Sequence, residues 1–229
     1  MPAVVVFVVV AGAIVSTTLL DVVWADDDVA VVDKPSGLLS CPGRDPALFD
    51  SVQTRVPQVF PQATGSILAH RLDQPTSGLL VVGLHAAAHR ALRLQFEARS
   101  VEKVYEAVLV GIVGDDEGVL RLPFRLDVDR RPHQIYDEVH GKIGVTRFEV
   151  MQRDLEAQRT RVRFIPETGR THQLRTHAAH HRGLGCPIAG DALYGDPTTA
   201  PRLLLHARTL VFDHPCTGAR LRFDRLAPF

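Results

Sequence analysis

The chain has few residues of several kinds, and each shortage narrows the possibilities. It has three cysteines in 229 residues, Cys41, Cys186 and Cys216, widely spaced and odd in number. A disulfide framework and a Cys-x-x-Cys zinc knuckle are therefore not expected, and a reducing compartment is the natural reading. Lysine is equally scarce, with three residues against 23 arginines. No P-loop, Gly-x-Gly-x-x-Gly, Gly-x-Ser-x-Gly or His-Glu-x-x-His pattern occurs. The longest uncharged apolar run, Ala3–Val15, is too short for a membrane helix, which needs about 20 residues. No Lys or Arg precedes it, unlike a signal peptide. Its β-branched richness favours a buried strand, with an accessory extension or a targeting segment as the alternatives.

What is present fits a folded globular protein. A hydrophobic fraction of 45% supports a sizeable core in one large domain or two small ones. Net charge is zero, yet its distribution is uneven. Residues 1–33 carry five aspartates and no Lys or Arg, whereas the stretch Arg121–Arg175 holds eleven arginines. A neutral total can hide a basic face. Arginine pairs bidentately with phosphate and stacks on bases. Codon bias in a GC-rich genome would give the same excess, so the count alone assigns no partner.

The local pattern predicts short strands at 29–32, 67–69, 79–82, 103–110, 145–151 and 160–164, with late strands at 202–205 and 210–212. It predicts helices over Pro46–Val56, closed by Pro57, over His85–Arg99, and from Arg170 to about His181. Residues 112–140 read as turns. Strands outnumber helices and do not alternate with them. The expected class is α+β with a mixed, largely antiparallel sheet and flanking helices.

Four segments carry candidate chemistry. In His70-Arg71-Leu72-Asp73 followed by Thr76-Ser77-Gly78, a turn would hold Asp73 at a strand end, where a carboxylate can face a cleft. Most aspartates beside turns are caps or solvated charges. Tyr105 lies on an alternating strand. In Gly169-Arg170-Thr171-His172-Gln173-Leu174-Arg175 with His177, helical spacing turns Arg175 inward. An inward Arg needs an anion, and Asp73 is an attractive partner; a structural salt bridge or a solvent-reaching Arg is the plainer reading. His172, His177, His180 and His181 have no carboxylate at a metal-site offset and read as solvated or capping side chains. The fourth segment runs from Pro187 through Asp191 to Tyr194, followed by Leu203-Leu204-Leu205-His206-Ala207.

In this order, and with Lys34-Pro35-Ser36-Gly37-Leu38-Leu39-Ser40 and Lys103-Val104-Tyr105, these segments resemble the pseudouridine synthases of the ribosomal large-subunit synthase A type (RluA-type). The resemblance covers residues 20–229, leaving 1–19 as an apolar extension or strand. It implies one catalytic domain with a central cleft and isomerisation of uridine in structured RNA, without cofactor or metal. Asp73 would be the nucleophile, Tyr105 the stacking surface for the target base, and Arg175 the partner of Asp73. Arg71 would enter the RNA where the base leaves. His70, Arg170 and His172 would contact RNA, and Leu205 would pack near the base. The partner would be tRNA, large-subunit rRNA or both, and the protein a cytoplasmic monomer with no membrane attachment. Arg130-Arg131-Pro132-His133-Gln134 and Gly141-Lys142 look most like the dual-specificity type.

The chain departs from the family pattern in three ways. It has no recognisable S4-type module, a Val-rich run replaces a polar start, and Ala178–Cys186 is longer, with Cys186 where His is common. Two other readings remain: an RNA-binding or RNA-folding protein of this fold that has lost catalysis, and a hydrolase using a carboxylate pair such as Asp73 with Asp191.

Overall fold

A computed structural model describes residues 4–10 and 13–229, with side chains from Leu19 onward. The fold is α+β with a mixed sheet, as expected. The chain divides into two compact units, Met1–Glu102 with Thr209–Leu226 and Lys103–Arg208 with Ala227–Phe229.

In the first unit the Val-rich run forms strand β1 (Val4–Val10), paired antiparallel with β2 (Ala13–Ala25). Whether its side chains are buried lies outside the described residues. β2 pairs with β3 (Val29–Lys34), and β3 pairs with β4 (Ser77–Gly83) in the register Val32↔Leu80 and Lys34↔Gly78. β3 and β4 are buried on both faces, so they read as apolar runs instead of alternating. Val29, Val31, Leu79 and Val81 pack against Ala88 and Leu92 of helix α2 (Ala86–Ala98) and against Leu210 and Phe212. His85 caps α2 by accepting from the Ala88 amide, and Arg99, in the left-handed region, ends it.

Two expectations are corrected here. The helix predicted over Pro46–Val56 splits into a single 3₁₀ turn (Pro46–Leu48) and α1 (Val52–Val59), with Pro57 inside the helix and not beyond it. Ser51 causes the split, because its hydroxyl and the Thr54 side chain form a reciprocal capping box. The strand expected at 67–69 shrinks to one bridge, Leu68↔Val82.

In the second unit β5 (Glu102–Val110) pairs with β9 (Arg159–Pro166), β9 with β8 (Lys142–Asp154), and β8 with β6 (Glu117–Leu126). The short β7 (Gln134–Tyr136) covers β6. All these pairings are antiparallel. β6 falls where only turns were predicted. Gly118 and Pro123 mimic chain breaks, but Leu120, Leu122 and Phe124 keep the two-residue period and are buried. Helix α3 is shorter than expected, Gln173–Ala179, because His172 before it is left-handed (φ 53°).

Of the two late strands, 202–205 is not a strand before Leu205, and the other extends back to it as β10 (Leu205–Asp213), with β11 (Arg220–Asp224) paired to its end. Arg208 and Thr209 resemble a break in the sequence, yet Arg208 pairs with buried Glu106, and the Thr209 hydroxyl donates to Asp224 at 2.5 Å.

Candidate active site

Asp73 sits in the loop that enters β4, and a second loop, 34–40, holds that loop in place. Gly37 donates its amide to the Gln74 carbonyl (2.9 Å), and the Gln74 side chain donates back to the Gly37 carbonyl (3.1 Å). The Ser36 hydroxyl donates to the Pro75 carbonyl (2.7 Å). The Ser40 hydroxyl accepts from the Leu72 amide (3.0 Å) and donates to the Leu72 carbonyl (2.7 Å). Gly37 adopts φ +91°, a conformation that L residues rarely adopt, which explains a glycine in this turn. Both neighbours of Asp73 are thus tied by backbone bonds, and Asp73 itself is half-exposed. The same loops line a cavity of about 330 Å³ bounded by Pro35, Gly37, Leu39, Leu48 and Gln74.

Sequence reasoning passed over the residue beneath this loop. Lys34 is fully buried, and its ammonium donates to the carbonyls of Leu38 (2.7 Å), Gln74 (3.0 Å) and Pro35 (3.1 Å). Three acceptors match the three protons of an ammonium. Burial pushes its pKa down to about 8, and the negative charges of Asp73 and Asp33 act against that shift. A lysine at the end of an apolar strand, just before a Pro-Ser-Gly turn, is the signal that could have found it.

In the second unit Arg175 is turned inward as predicted, with 3% of its surface exposed. Its anion within that unit is Asp191, bound bidentately through Nε (2.8 Å) and Nη2 (2.6 Å). Asp191 is fully buried and also accepts the amides of Leu193 (2.9 Å) and Tyr194 (3.1 Å). Burial alone would raise the Asp191 carboxyl. The hydrogen bonds and charge of Arg175 outweigh it and hold the group below the usual carboxylate range. The Arg175 guanidinium lies over the Tyr194 ring, 5.2 Å from its centroid. A carboxylate so fully engaged is unsuited to partner a hydrolytic acid, which removes the basis for pairing Asp191 with Asp73.

The other candidates occupy distinct settings. Tyr105 is half-buried on β5 opposite Phe164 and packs on the core around Leu109 and Val162. Leu205 belongs to that core and is 3% exposed. Arg71 is exposed, with its guanidinium 3.6 Å from the Cys41 sulfur. His70 accepts the Val81 amide (3.2 Å) and stacks on Phe96 (4.3 Å). Arg170 is exposed beside the Ile143 carbonyl. His172 bonds the Tyr194 hydroxyl through Nδ1 (2.8 Å). His177 is neither solvated nor a cap. It is fully buried, both ring nitrogens lack partners, and burial lowers its pKa to about 4.

A further cluster joins Asp26, Asp28, His85, His214 and Cys216. Its hydrogen-bond directions oppose metal binding. Both imidazoles accept backbone amides at Nδ1, so Nε2 carries the proton and donates to Asp28 (2.8 Å) and Asp26 (2.7 Å). A metal-bound histidine needs the reverse, with the second nitrogen donating.

The fold and the comparisons with known proteins place the chain among α+β isomerases that act on RNA. The family model for RNA pseudouridylate synthase matches residues 28–180, more than half of the chain. The chain belongs to the RNA pseudouridylate synthase family. It is 44% identical over 213 residues to the dual-specificity RNA pseudouridine synthase RluA of Haemophilus influenzae, covering 92% of this chain and 94% of that protein. It is 43% identical to the protein of the same name from Escherichia coli K12, with the same coverage. The solved structure of human RNA pseudouridylate synthase domain containing 1 superposes with a TM-score of 0.75 at 29% identity, covering 92% of this chain and 84% of that one. Among the described residues no helix is long and apolar enough to cross a membrane.

Proposed function

We propose that this protein converts uridine to pseudouridine in a tRNA anticodon stem-loop and in a similar loop of 23S rRNA, with Asp73 as the nucleophile. The observation that carries the reading is the half-exposed Asp73, tied on both sides by the 34–40 loop and set near the buried charge of Lys34. The substrate class follows from the dual-specificity relatives and from the Arg130–Gln134 and Gly141-Lys142 segments.

The target base must leave its stack before any side chain can reach it. Tyr105 receives the flipped uracil, a contact worth roughly 1–3 kcal/mol. Arg71 takes the vacated place in the RNA, His70, Arg170 and His172 contact the RNA, and Leu205 packs near the base. The C1′–N1 bond breaks, the uracil rotates, and C1′ bonds to C5. Asp73 assists either by attacking the sugar or ring or by taking the C2′ proton. The C5 proton then leaves to a weak base, Asp73 or Tyr105. Arg175 keeps the Asp73 carboxylate ionised and aimed, and Asp191 fixes Arg175. No cofactor or metal enters these steps. The enzyme is proposed to work as a single catalytic domain, residues 20–229, and as a cytoplasmic monomer without membrane attachment.

Asp73→Asn tests this. The variant should form no pseudouridine in either RNA while its affinity for RNA stays within about threefold, since a carboxamide keeps the shape of the side chain. Pseudouridine mapping in a strain carrying only the variant reads the result. A map identical to wild type sinks the assignment, and full rescue of growth without modification favours the RNA-folding alternative.

A further inference from the structure

A row of side chains in the second unit has no role in the chemistry above. Across three strands, Tyr136 of β7 lies opposite Phe124 of β6, and Phe124 lies opposite Lys142 of β8. Phe124 is buried against His177 and His180. His180 stacks flat on Tyr136, with centroids 5.0 Å apart and planes at 18°. His181 follows at 4.3 Å from His180, and the Arg182 guanidinium lies 5.2 Å from the Tyr136 ring centre. Burial, then the neighbouring His181 and Arg182, lowers the His180 pKa, so this ring stacks as a neutral imidazole near pH 7.

A stack built only to fill the protein would bury its outermost members. Here His181 and Arg182 are exposed, and Arg182 is tethered only loosely to Glu138 at 3.6 Å. Exposed imidazole and guanidinium groups are side chains on which unpaired bases stack. Exposed Lys142 lies in the same row and Arg170 beside Ile143, the next residue, so phosphates would meet positive charge. Half-exposed Ile143 adds an apolar edge.

We infer that His181 and Arg182, supported by the Tyr136–His180 stack, form a second RNA-contact site that takes an unpaired nucleotide other than the reacting uridine. The inference rests on the RNA isomerase reading and names a contact that reading does not contain.

Steady-state pseudouridine formation on an anticodon stem-loop transcript tests it, with His181→Ala, Arg182→Ala and Arg182→Lys. Both positions are exposed, so the fold should survive, and a melting curve confirms that. Each alanine variant should raise KM for the RNA roughly 5- to 100-fold, with kcat within about twofold. Arg182→Lys should be as weak as Arg182→Ala, because lysine keeps the charge and loses the flat face. An unchanged KM in both alanine variants overturns the inference. Recovery by Arg182→Lys also overturns it, since the contact would then be charge alone. If the wild-type protein does not turn over this RNA, the substrate reading fails separately. Direct binding of the same transcript by fluorescence anisotropy then reads the same ratios in Kd.

Discussion

The Asp73 loop and the α3 segment each fix a charge, by opposite means. Around Asp73 the bonds go to the backbone of its neighbours, Leu72, Gln74 and Pro75, and the carboxylate stays half-exposed. Around Arg175 the bonds go to the charged group itself, and both partners are sealed from water. The bonds to Leu72, Gln74 and Pro75 fix the Asp73 loop from behind, through its backbone. Arg175 is fixed instead through its own guanidinium, which gives two of its five donors to Asp191.

This contrast predicts that stability and activity separate. The largest stability loss belongs to the second region. Asp191→Ala strands the Arg175 guanidinium without its bidentate partner, and breaking a buried pair costs about 3–5 kcal/mol. Chemical denaturation should show that loss, and Arg175→Met in the same chain should recover most of it. A double variant as unstable as Asp191→Ala would mean that packing, and not charge, is what the pair supplies.

The next effect depends on pH. His177 has an ordinary pKa of 6.5 when unfolded and about 4 when folded. Above 6.5 it is neutral in both states and costs nothing through protonation. As pH falls from 6.5 towards 4 the unfolded chain takes the proton first, so stability is lost by up to about 3 kcal/mol. His177→Leu should remove that acid-dependent loss. It should also stabilise the fold at pH 7 by about 1 kcal/mol, because two buried unpartnered nitrogens disappear. Parallel stability curves for variant and wild type between pH 4 and 6.5 would refute the assignment.

Much of the fold was legible in the sequence, and the exceptions share a physical cause. β3, β4, α2 and β9 announced themselves through apolar runs or strict periodicity. β6 was hidden by Gly118 and Pro123, and β10 by Arg208 and Thr209, whose polar groups bond the sequence-distant Glu106 and Asp224. The site divides in the same way. Helical spacing was enough to turn Arg175 inward. Its partner Asp191 lies 16 residues away, and local pattern carries no information about a contact made by tertiary packing. Lys34 escaped for a similar reason, since its three acceptors come from a loop next to it and a loop 40 residues on.

Substitutions in the Asp73 loop should show the other half of the contrast. Lys34→Met keeps the stem and removes the ammonium, leaving three carbonyls without their donor and removing one positive charge that Asp73 feels. A stability loss of about 2 kcal/mol is expected. Turnover should fall roughly tenfold or more with little change in RNA affinity, because the loop that aims Asp73 loosens by a fraction of an ångström. Equal loss of affinity and turnover would place Lys34 in the RNA-binding surface instead.

Ser40→Ala should be the least destabilising of these losses and gives the most direct test of positioning from behind. The hydroxyl of Ser40 makes two bonds, accepting the Leu72 amide and donating to the Leu72 carbonyl, both on the residue before Asp73. Alanine fits the same space without strain, so the loss is limited to those bonds, about 1–2 kcal/mol. If the Asp73 backbone is held by this contact, kcat should drop several-fold while KM stays near the wild-type value. Ser40→Thr, which restores a hydroxyl, should recover part of the rate. Wild-type kcat in Ser40→Ala would show that the remaining bonds from Ser36, Gly37 and Gln74 aim Asp73 on their own, and that Leu72 only anchors the loop.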